Sequence, residues 1–244
     1  MTTITKLTYG PDPRQYSNVW IPKGSKAPSH WVIFMHGGAW VDYKQTEKDG
    51  DELMEAVVDG NVWGASIEYR LAPEVSGKTF AEDVYNAIKS IFDKYPAAPW
   101  TMIGHSAGAF HSLKLDTDVK EKGGFASPTN IILSEGIYDL RTLVDDHPTY
   151  SYFTNPAWGE DKAKWDEESP LLHHQACPKI NYTIVHSDID ELVPFDGQPQ
   201  LLAKKWKQQG VPFDFEVIRG LKHNDVFISS EFAKIANEII QKSS

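Results

Sequence analysis

Residues 104–108, Gly-His-Ser-Ala-Gly, encode a sharp turn from a strand into a helix. The apolar run 100–103 before them predicts a buried strand, and the apolar positions after them continue as a helix. The glycines of a Gly-x-Ser-x-Gly turn let the backbone pass close to its neighbours, because glycine has no Cβ to collide. Such a turn exposes the Ser106 hydroxyl at the start of the helix, where a nucleophile is placed. Ordinary loops also contain such pentapeptides, so the rest of the chain must supply the other catalytic groups.

A second apolar run, 31–35, is followed by His36-Gly37-Gly38. Tandem glycines after a buried strand allow backbone N–H groups to converge on one point, as acyl transfer requires for its oxyanion. We expect the N–H groups of Gly37, Gly38 and Ala107 to form this oxyanion hole. A tight strand-to-loop turn is the structural alternative.

The acid and the base are sought after Ser106. A third apolar run, 182–185, leads into Asp188, Asp190 and Glu191. Asp190 is the preferred acid, Asp188 is the alternative, and Glu191 is less favoured. His223 is the one histidine that follows Asp190. The order Ser106, Asp190, His223 is the order in which α/β-hydrolases carry their triad.

The alternation of apolar runs with helical patterns predicts an α/β-hydrolase fold, with a mostly parallel central sheet and helices on both faces. The length of 244 residues fits a single domain over 1–244. Two helices, 79–95 and 231–242, carry apolar stripes at the 3.6-residue period. The predicted strands are 19–21, 31–35, 63–68, 100–104, 130–133, 182–186 and 213–218.

Segment 141–170 departs from this alternation, because it is polar and aromatic and lies between two predicted strands. Long connections in compact domains are often functional, so a small lid insertion is one interpretation. A surface excursion whose aromatic rings pack on the body is the other. If it is a lid, it contributes to a substrate pocket, for which the candidate residues are Trp40, Tyr138, Arg141, Tyr152 and Phe153.

Composition and missing motifs narrow the function classes. The formal net charge of −10 argues against nucleic acid or an anionic membrane as the main partner. The single cysteine, Cys177, excludes an internal disulfide and fits a reducing compartment. No apolar run approaches the ~20 residues that cross a bilayer, and residues 1–16 lack a signal-peptide core. Metal-binding and phosphate-binding motifs are absent from the sequence, so we expect no metal and no organic cofactor.

Several segments together form a set of motifs that is more specific than the motifs of hydrolases in general. They resemble the serine-hydrolase type of kynurenine formamidase (arylformamidase), and the compact fungal members in particular. Trp40, the fifth residue of the His-Gly-Gly-x-Trp segment that begins at His36, is part of this resemblance, which extends over about 30–230. The segments are 36–40, 67–74, 135–140, 186–192 and 221–226.

The resemblance implies hydrolysis of N-formyl-L-kynurenine to L-kynurenine and formate, through a formyl-enzyme, in tryptophan catabolism towards NAD. It places Ser106, Asp190 and His223 at the triad positions. It implies a small aromatic formamide as the substrate, no cofactor, a cytoplasmic location and a homodimer. Arg141 is the candidate partner of the substrate carboxylate, with a surface ion pair as its alternative role.

Two other functions remain open on the sequence. One is a general carboxylesterase of the hormone-sensitive-lipase-like group, which would use the same triad. The other is a binding protein that keeps the hydrolase fold without catalysis. The intact Ser106, Asp190 and His223 argue against the second alternative.

Overall fold

The computed structural model describes residues 1–243. Its centre is an eight-stranded sheet in the order β1-β2-β4-β3-β5-β6-β7-β8. The neighbouring strands from β4 through β3 to β8 pair in parallel. At one edge of the sheet β2 pairs antiparallel with β4, and β1 pairs antiparallel with β2. The strands are β1 Thr2–Thr8, β2 Tyr16–Pro22, β3 His30–Met35, β4 Val62–Ile67, β5 Trp100–His105, β6 Asn130–Ser134, β7 Asn181–Ser187 and β8 Phe213–Ile218.

Helices connect the parallel strands and cover both faces of the sheet. Short 3₁₀ turns lie at Glu47–Gly50, Pro148–Tyr150 and His223–Asp225. The helices are α1 Asp51–Val57, α2 Lys78–Lys94, α3 Ala107–Lys122, α4 Leu140–Asp146, α5 Ser151–Trp158, α6 Lys162–Glu168, α7 Pro170–His173, α8 Gln198–Gln209 and α9 Ser230–Ser243.

The central strand β3 shows how the two faces are built. Successive side chains of a strand point to opposite faces. Ile33 and Met35 accordingly join the core cluster beneath α2, α3 and α8, while Val32 and Phe34 join the cluster beneath α1 and α9. A strand buried on both faces reads as a continuous apolar run, which is why 31–35 was recognisable in the sequence. The predicted fold class is confirmed.

The first strand, β1, was not predicted. Of its seven residues only Leu7 is buried, so the segment has no apolar pattern of its own. It forms because it pairs antiparallel with β2 along its whole length, from Thr2 opposite Pro22 to Thr8 opposite Tyr16. An edge strand held by its neighbour's backbone leaves little signal in the sequence.

The segment between β6 and β7 folds into the four short helices α4 to α7. Phe153, Trp158 and Trp165 are buried in a third cluster, together with Trp40 from the loop after β3 and Phe110 from α3. These three aromatic side chains of the insertion therefore pack on the body of the protein, whereas Tyr152 is exposed. None of the helices within residues 1–243 has the length and apolar character to cross a membrane.

Candidate active site

Ser106 lies at the tip of the predicted turn between β5 and α3, with φ +54° and ψ −115°. This is a strained conformation for a residue other than glycine. The flanking glycines permit the tight turn: a Cβ on Gly104 would collide with the carbonyl of Gly108, and a Cβ on Gly108 would collide with the carbonyl of Met35. The turn therefore packs its backbone against both β5 and the end of β3.

His223 and Asp190 are brought together from the loops after β8 and β7. The imidazole Nδ1 lies 2.7 Å from Asp190 Oδ2, and both side chains are buried. A carboxylate at this distance accepts the Nδ1 proton, which leaves the Nε2 lone pair as the basic atom. Ser106 and His223 line the same cavity, so the three predicted residues meet at one place.

Asp190 is held as a carboxylate by several donors. Its Oδ1 accepts the backbone N–H groups of Leu192 and Val193, each at 2.8 Å. Burial raises the pKa of Asp190, but the hydrogen bonds from His223 and from its other neighbours outweigh burial and hold the pKa well below its usual range. Asp190 therefore carries a negative charge beside the imidazole at neutral pH.

The two alternative acids do not contact the imidazole of His223. Asp188 is exposed, and its Oδ1 accepts the backbone N–H of Gly220 at 2.8 Å. Glu191 accepts the backbone N–H of His223 at 3.1 Å, so it supports the loop instead of the ring. The geometry thus favours Asp190 over both.

The His-Gly-Gly loop lies directly beside the serine. A Cβ on Gly37 would approach Ser106 Cβ to 3.0 Å. The Tyr69 hydroxyl donates to the carbonyls of His36 and Gly37, at 3.0 and 3.2 Å. Because C=O and N–H point in opposite directions across a trans peptide, this directs the N–H groups of Gly37 and Gly38 away from Tyr69. Within residues 1–243, the N–H groups of Gly37, Gly38 and Ala107 donate to no protein acceptor.

The cavity above Ser106 has a volume of about 150 Å³. Of the predicted pocket residues, Tyr152 and Phe153 line it. Residues that the sequence did not single out for the pocket also contribute. They are Ala39, Val41, Asp42, Gln45, Ile137, Tyr150, Leu192, Val193 and Asn224.

The other three predicted pocket residues do not line the cavity. Trp40 is fully buried beneath it, where Nε1 donates to His111 Nε2 at 2.9 Å and the ring packs against Phe110. Tyr138 is also fully buried. Arg141 points to the surface, where its guanidinium holds Asp166 through two hydrogen bonds of 2.7 and 2.6 Å. Arg141 thus takes the surface ion pair that was its alternative role.

A buried cluster beside the triad was missed. Glu135, His186 and Asp190 bring one potential ligand atom each within 4.8 Å of one another, the kind of set that can hold a metal ion. His186 Nε2 lies 2.7 Å from the Val193 carbonyl, which requires a proton on that nitrogen and removes its lone pair from coordination. The cluster therefore suits hydrogen bonding better than a metal. In the sequence Glu135 stood out only as part of segment 135–140.

The fold and the serine–histidine–aspartate arrangement define the class of protein. A family model described as the alpha/beta hydrolase fold matches residues 32–227, and the chain belongs to this family. The structure of an esterase B from Lactobacillus rhamnosis has the same fold, with a TM-score of 0.79 at 17% identity over 99% of this chain and 84% of that chain.

Sequence relatives narrow the class. A kynurenine formamidase of Meyerozyma guilliermondii is 30% identical and covers 98% of this chain and 95% of its own length. One of Saccharomyces cerevisiae is 29% identical and covers 83% of this chain and 85% of its own length. The chain is therefore a member of the kynurenine formamidase family, as the resemblance predicted. A probable isoprenylcysteine alpha-carbonyl methylesterase of rice is 26% identical over 92% of this chain and 59% of that protein.

Proposed function

We propose that this protein hydrolyses N-formyl-L-kynurenine to L-kynurenine and formate, with Ser106 as nucleophile, His223 as base and Asp190 as the acid that orients the base. The observation that carries the proposal is the 2.7 Å contact between His223 and Asp190, on a cavity shared with Ser106. Membership of the kynurenine formamidase family supports the choice of substrate.

The first half of the reaction forms the acyl-enzyme. His223 Nε2 removes the hydroxyl proton of Ser106 as Oγ attacks the formyl carbon. The N–H groups of Gly37, Gly38 and Ala107 stabilise the oxyanion of the tetrahedral intermediate. Loss of one such donor typically raises the barrier by about 3 kcal/mol.

The second half releases the two products. The protonated His223 gives its proton to the aniline nitrogen, which leaves as L-kynurenine. A water molecule then loses a proton to His223 and attacks the formyl ester of Ser106. Collapse of the second tetrahedral intermediate releases formate and restores the serine hydroxyl.

The cavity suits a small acyl group on an aromatic leaving group. Its volume of about 150 Å³ is small beside the ~300–1,000 Å³ of typical ligand pockets, so a long acyl chain has little room. Tyr150, Tyr152 and Phe153 provide an aromatic wall for the ring of the substrate. Among the described residues that line the cavity there is no lysine or arginine, so neutral donors such as Gln45 and Asn224 would meet the substrate carboxylate.

Helices α4 to α7 would form the lid of this single domain. They contribute the aromatic wall, and exposed ion pairs such as Lys162–Asp145 join their outer parts. From the resemblance alone we also infer a homodimer and a cytoplasmic location. Light scattering on the purified protein tests the first, and fractionation of the source cells tests the second.

A general carboxylesterase is the second candidate. The similarity to the rice methylesterase and the esterase fold favour it. A purified-enzyme assay separates the two functions, with N-formyl-L-kynurenine and p-nitrophenyl acetate as parallel substrates and Ser106→Ala as the control. We expect Ser106-dependent release of kynurenine with weak ester turnover. Efficient ester cleavage with little kynurenine would make the protein an esterase. Failure of folded protein to react with a fluorophosphonate would indicate a binding protein.

A further inference from the structure

Glu135 is a buried carboxyl group that the mechanism above does not use. It follows β6 with no exposed surface and has φ +51°, a backbone conformation that favours glycine. Its Oε1 accepts the backbone N–H of Ser187 at 2.7 Å. Its Oε2 has no hydrogen-bond partner within residues 1–243 and lies 3.3 Å from His186 Nε2.

Within residues 1–243, no lysine or arginine forms an ion pair with Glu135. Its basic neighbour is His186, whose burial lowers the pKa to about 4 and keeps the ring neutral. Its other titratable neighbours are Asp190, Glu191 and Tyr138. An ionised Glu135 would therefore be a second buried negative charge beside Asp190.

Glu135 and Asp190 each bring a carboxyl oxygen within 4.8 Å of the other. Two buried carboxyl groups at this distance share one negative charge, because both cannot ionise without a cation. Asp190 accepts three hydrogen bonds, from His223 and from two backbone N–H groups, whereas Glu135 accepts one. The charge consequently lies on Asp190. Burial, followed by the contact with Asp190, raises the pKa of Glu135 to about 11. Glu135 is thus a neutral acid over the working range of an enzyme.

We propose that Glu135 is a positioning residue that donates its Oε2–H to the Asp190 carboxylate, so that Asp190 keeps the single negative charge that orients His223. The inference rests on the proposed role of Asp190 and His223. It assigns to Glu135 no contact with the substrate. A neutral donor can fix the Asp190 side chain without adding a charge to the site, which an ionised carboxylate cannot do.

Infrared spectroscopy tests the protonation state without any substrate. At pH 8 the wild-type protein should show the carbonyl stretch of a protonated carboxylic acid, and Glu135→Gln should remove that band. Glu216→Gln, which changes an exposed glutamate on β8, is the matched control and should leave the band in place. A wild-type spectrum whose acid band does not change in Glu135→Gln would overturn the proposal.

The pH profile tests the consequence for catalysis. Glutamine keeps the shape and can both accept from Ser187 and donate to Asp190, whereas leucine can do neither. Glu135→Leu should lower kcat on the order of tenfold, as loss of a supporting hydrogen bond does, with KM little changed. Glu135→Gln should retain most of the wild-type kcat, and the acid limb of its kcat/KM profile should lie at the same pH as in the wild type.

Two results would overturn the inference. One is an acid limb of kcat/KM that moves down by about one pH unit in Glu135→Gln. That movement would mean that a true negative charge had been removed from the site that holds His223, Asp190, Glu191 and His105, because a nearby negative charge favours the protonated form of a base. The other is folded Glu135→Gln protein with as little activity as Glu135→Leu. Profiles are measured with both N-formyl-L-kynurenine and p-nitrophenyl acetate. If only the ester is cleaved, the proposed function fails while the Glu135 test still proceeds on the ester.

Discussion

The two walls of the cavity are built in different ways. The sheet wall carries Ser106 and His223, which line the cavity, and His223 is bonded to Asp190. All three residues lie on turns or loops that follow strands, and their side chains are buried. The helical wall carries Tyr150, Tyr152 and Phe153 on the insertion, and Tyr152 is 68% exposed. The sheet wall holds His223 within hydrogen-bonding distance of Asp190 and beside Ser106, while the helical wall offers apolar surface with few polar anchors. Under the proposed function, the chemistry and the choice of substrate would depend on separate parts of the chain.

The largest expected effect is on the sheet wall. Asp190→Asn should lower kcat by about 10⁴-fold, because an amide can donate to Nδ1 and impose the wrong tautomer on His223. Asp188→Asn is the matched control two residues away and should change kcat by less than about threefold, since Asp188 bonds the Gly220 backbone and not the ring. Steady-state kinetics on both variants checks this. The reverse ranking would show that Asp188 is the acid.

Acid should lower the stability of the protein through three buried histidines that lie outside the insertion. Burial lowers the pKa of His111 to about 3 and the pKa values of His30 and His186 to about 4. These rings are neutral when folded but bind a proton when unfolded below about pH 6.5. The unfolded state thus gains protons, and the free energy of unfolding falls as pH drops from about 6.5 towards 4, by up to about 1.4 kcal/mol per pH unit for each histidine.

Urea unfolding at pH 7.5 and pH 5.5 measures this loss. Above about pH 6.5 these histidines are neutral in both the folded and the unfolded state, so their contribution to stability is fully present. A further rise to pH 8 should therefore add no stability from them. His111→Gln, which removes the ring that contacts Trp40, should reduce the pH dependence of the free energy of unfolding by the contribution of this one histidine. Equal stability at pH 7.5 and pH 5.5 would contradict the neutral state of the buried rings.

A smaller effect is expected on the helical wall. Tyr152→Ala should raise KM for N-formyl-L-kynurenine by about fivefold with little change in kcat, because it removes an aromatic contact worth about 1 kcal/mol and touches no reacting atom. Tyr152→Phe keeps the ring and is the control. A fall in kcat with constant KM would mean that the insertion acts on the chemistry, and the contrast between the walls would fail.

The smallest effect is expected at Arg141. Arg141→Ala should change kcat/KM by less than about twofold, since the guanidinium is bound to Asp166 at the surface and exposed pairs contribute little. A substrate panel with and without the amino-acid carboxylate checks it. A large rise in KM confined to the carboxylate-bearing substrate would show that Arg141 binds the substrate carboxylate.

The sequence predicted the parts of the site that depend on local backbone. The turn at Ser106 and the loop at Gly37 and Gly38 each follow an apolar strand, and such strands are readable because they are buried on both faces. Chain order then selected His223. These predictions needed no knowledge of which distant residues touch, and the fold they implied is the fold observed.

The contacts that the sequence did not indicate join partners that lie far apart in the chain. Arg141 pairs with Asp166, 25 residues away, and Trp40 turns inward to His111, 71 residues away. Glu135 meets Ser187 across 52 residues. No local pattern encodes these contacts, because they depend on how segments that are distant in the chain pack together. Glu135 itself, a charged residue directly after a buried strand, was the one available signal.

The strand order has a consequence for how the protein folds. The Ser106 turn packs against the end of β3, and its N–H donates to the carbonyl of Ser134 on β6. Asp190 and His223 instead follow β7 and β8, which lie beyond β6 in the sheet. The serine and its two partners therefore depend on different strands. During refolding, Ser106 should become reactive towards a fluorophosphonate only when β7 and β8 have joined the sheet. The rate at which this reactivity appears should therefore measure the rate at which the sheet is completed.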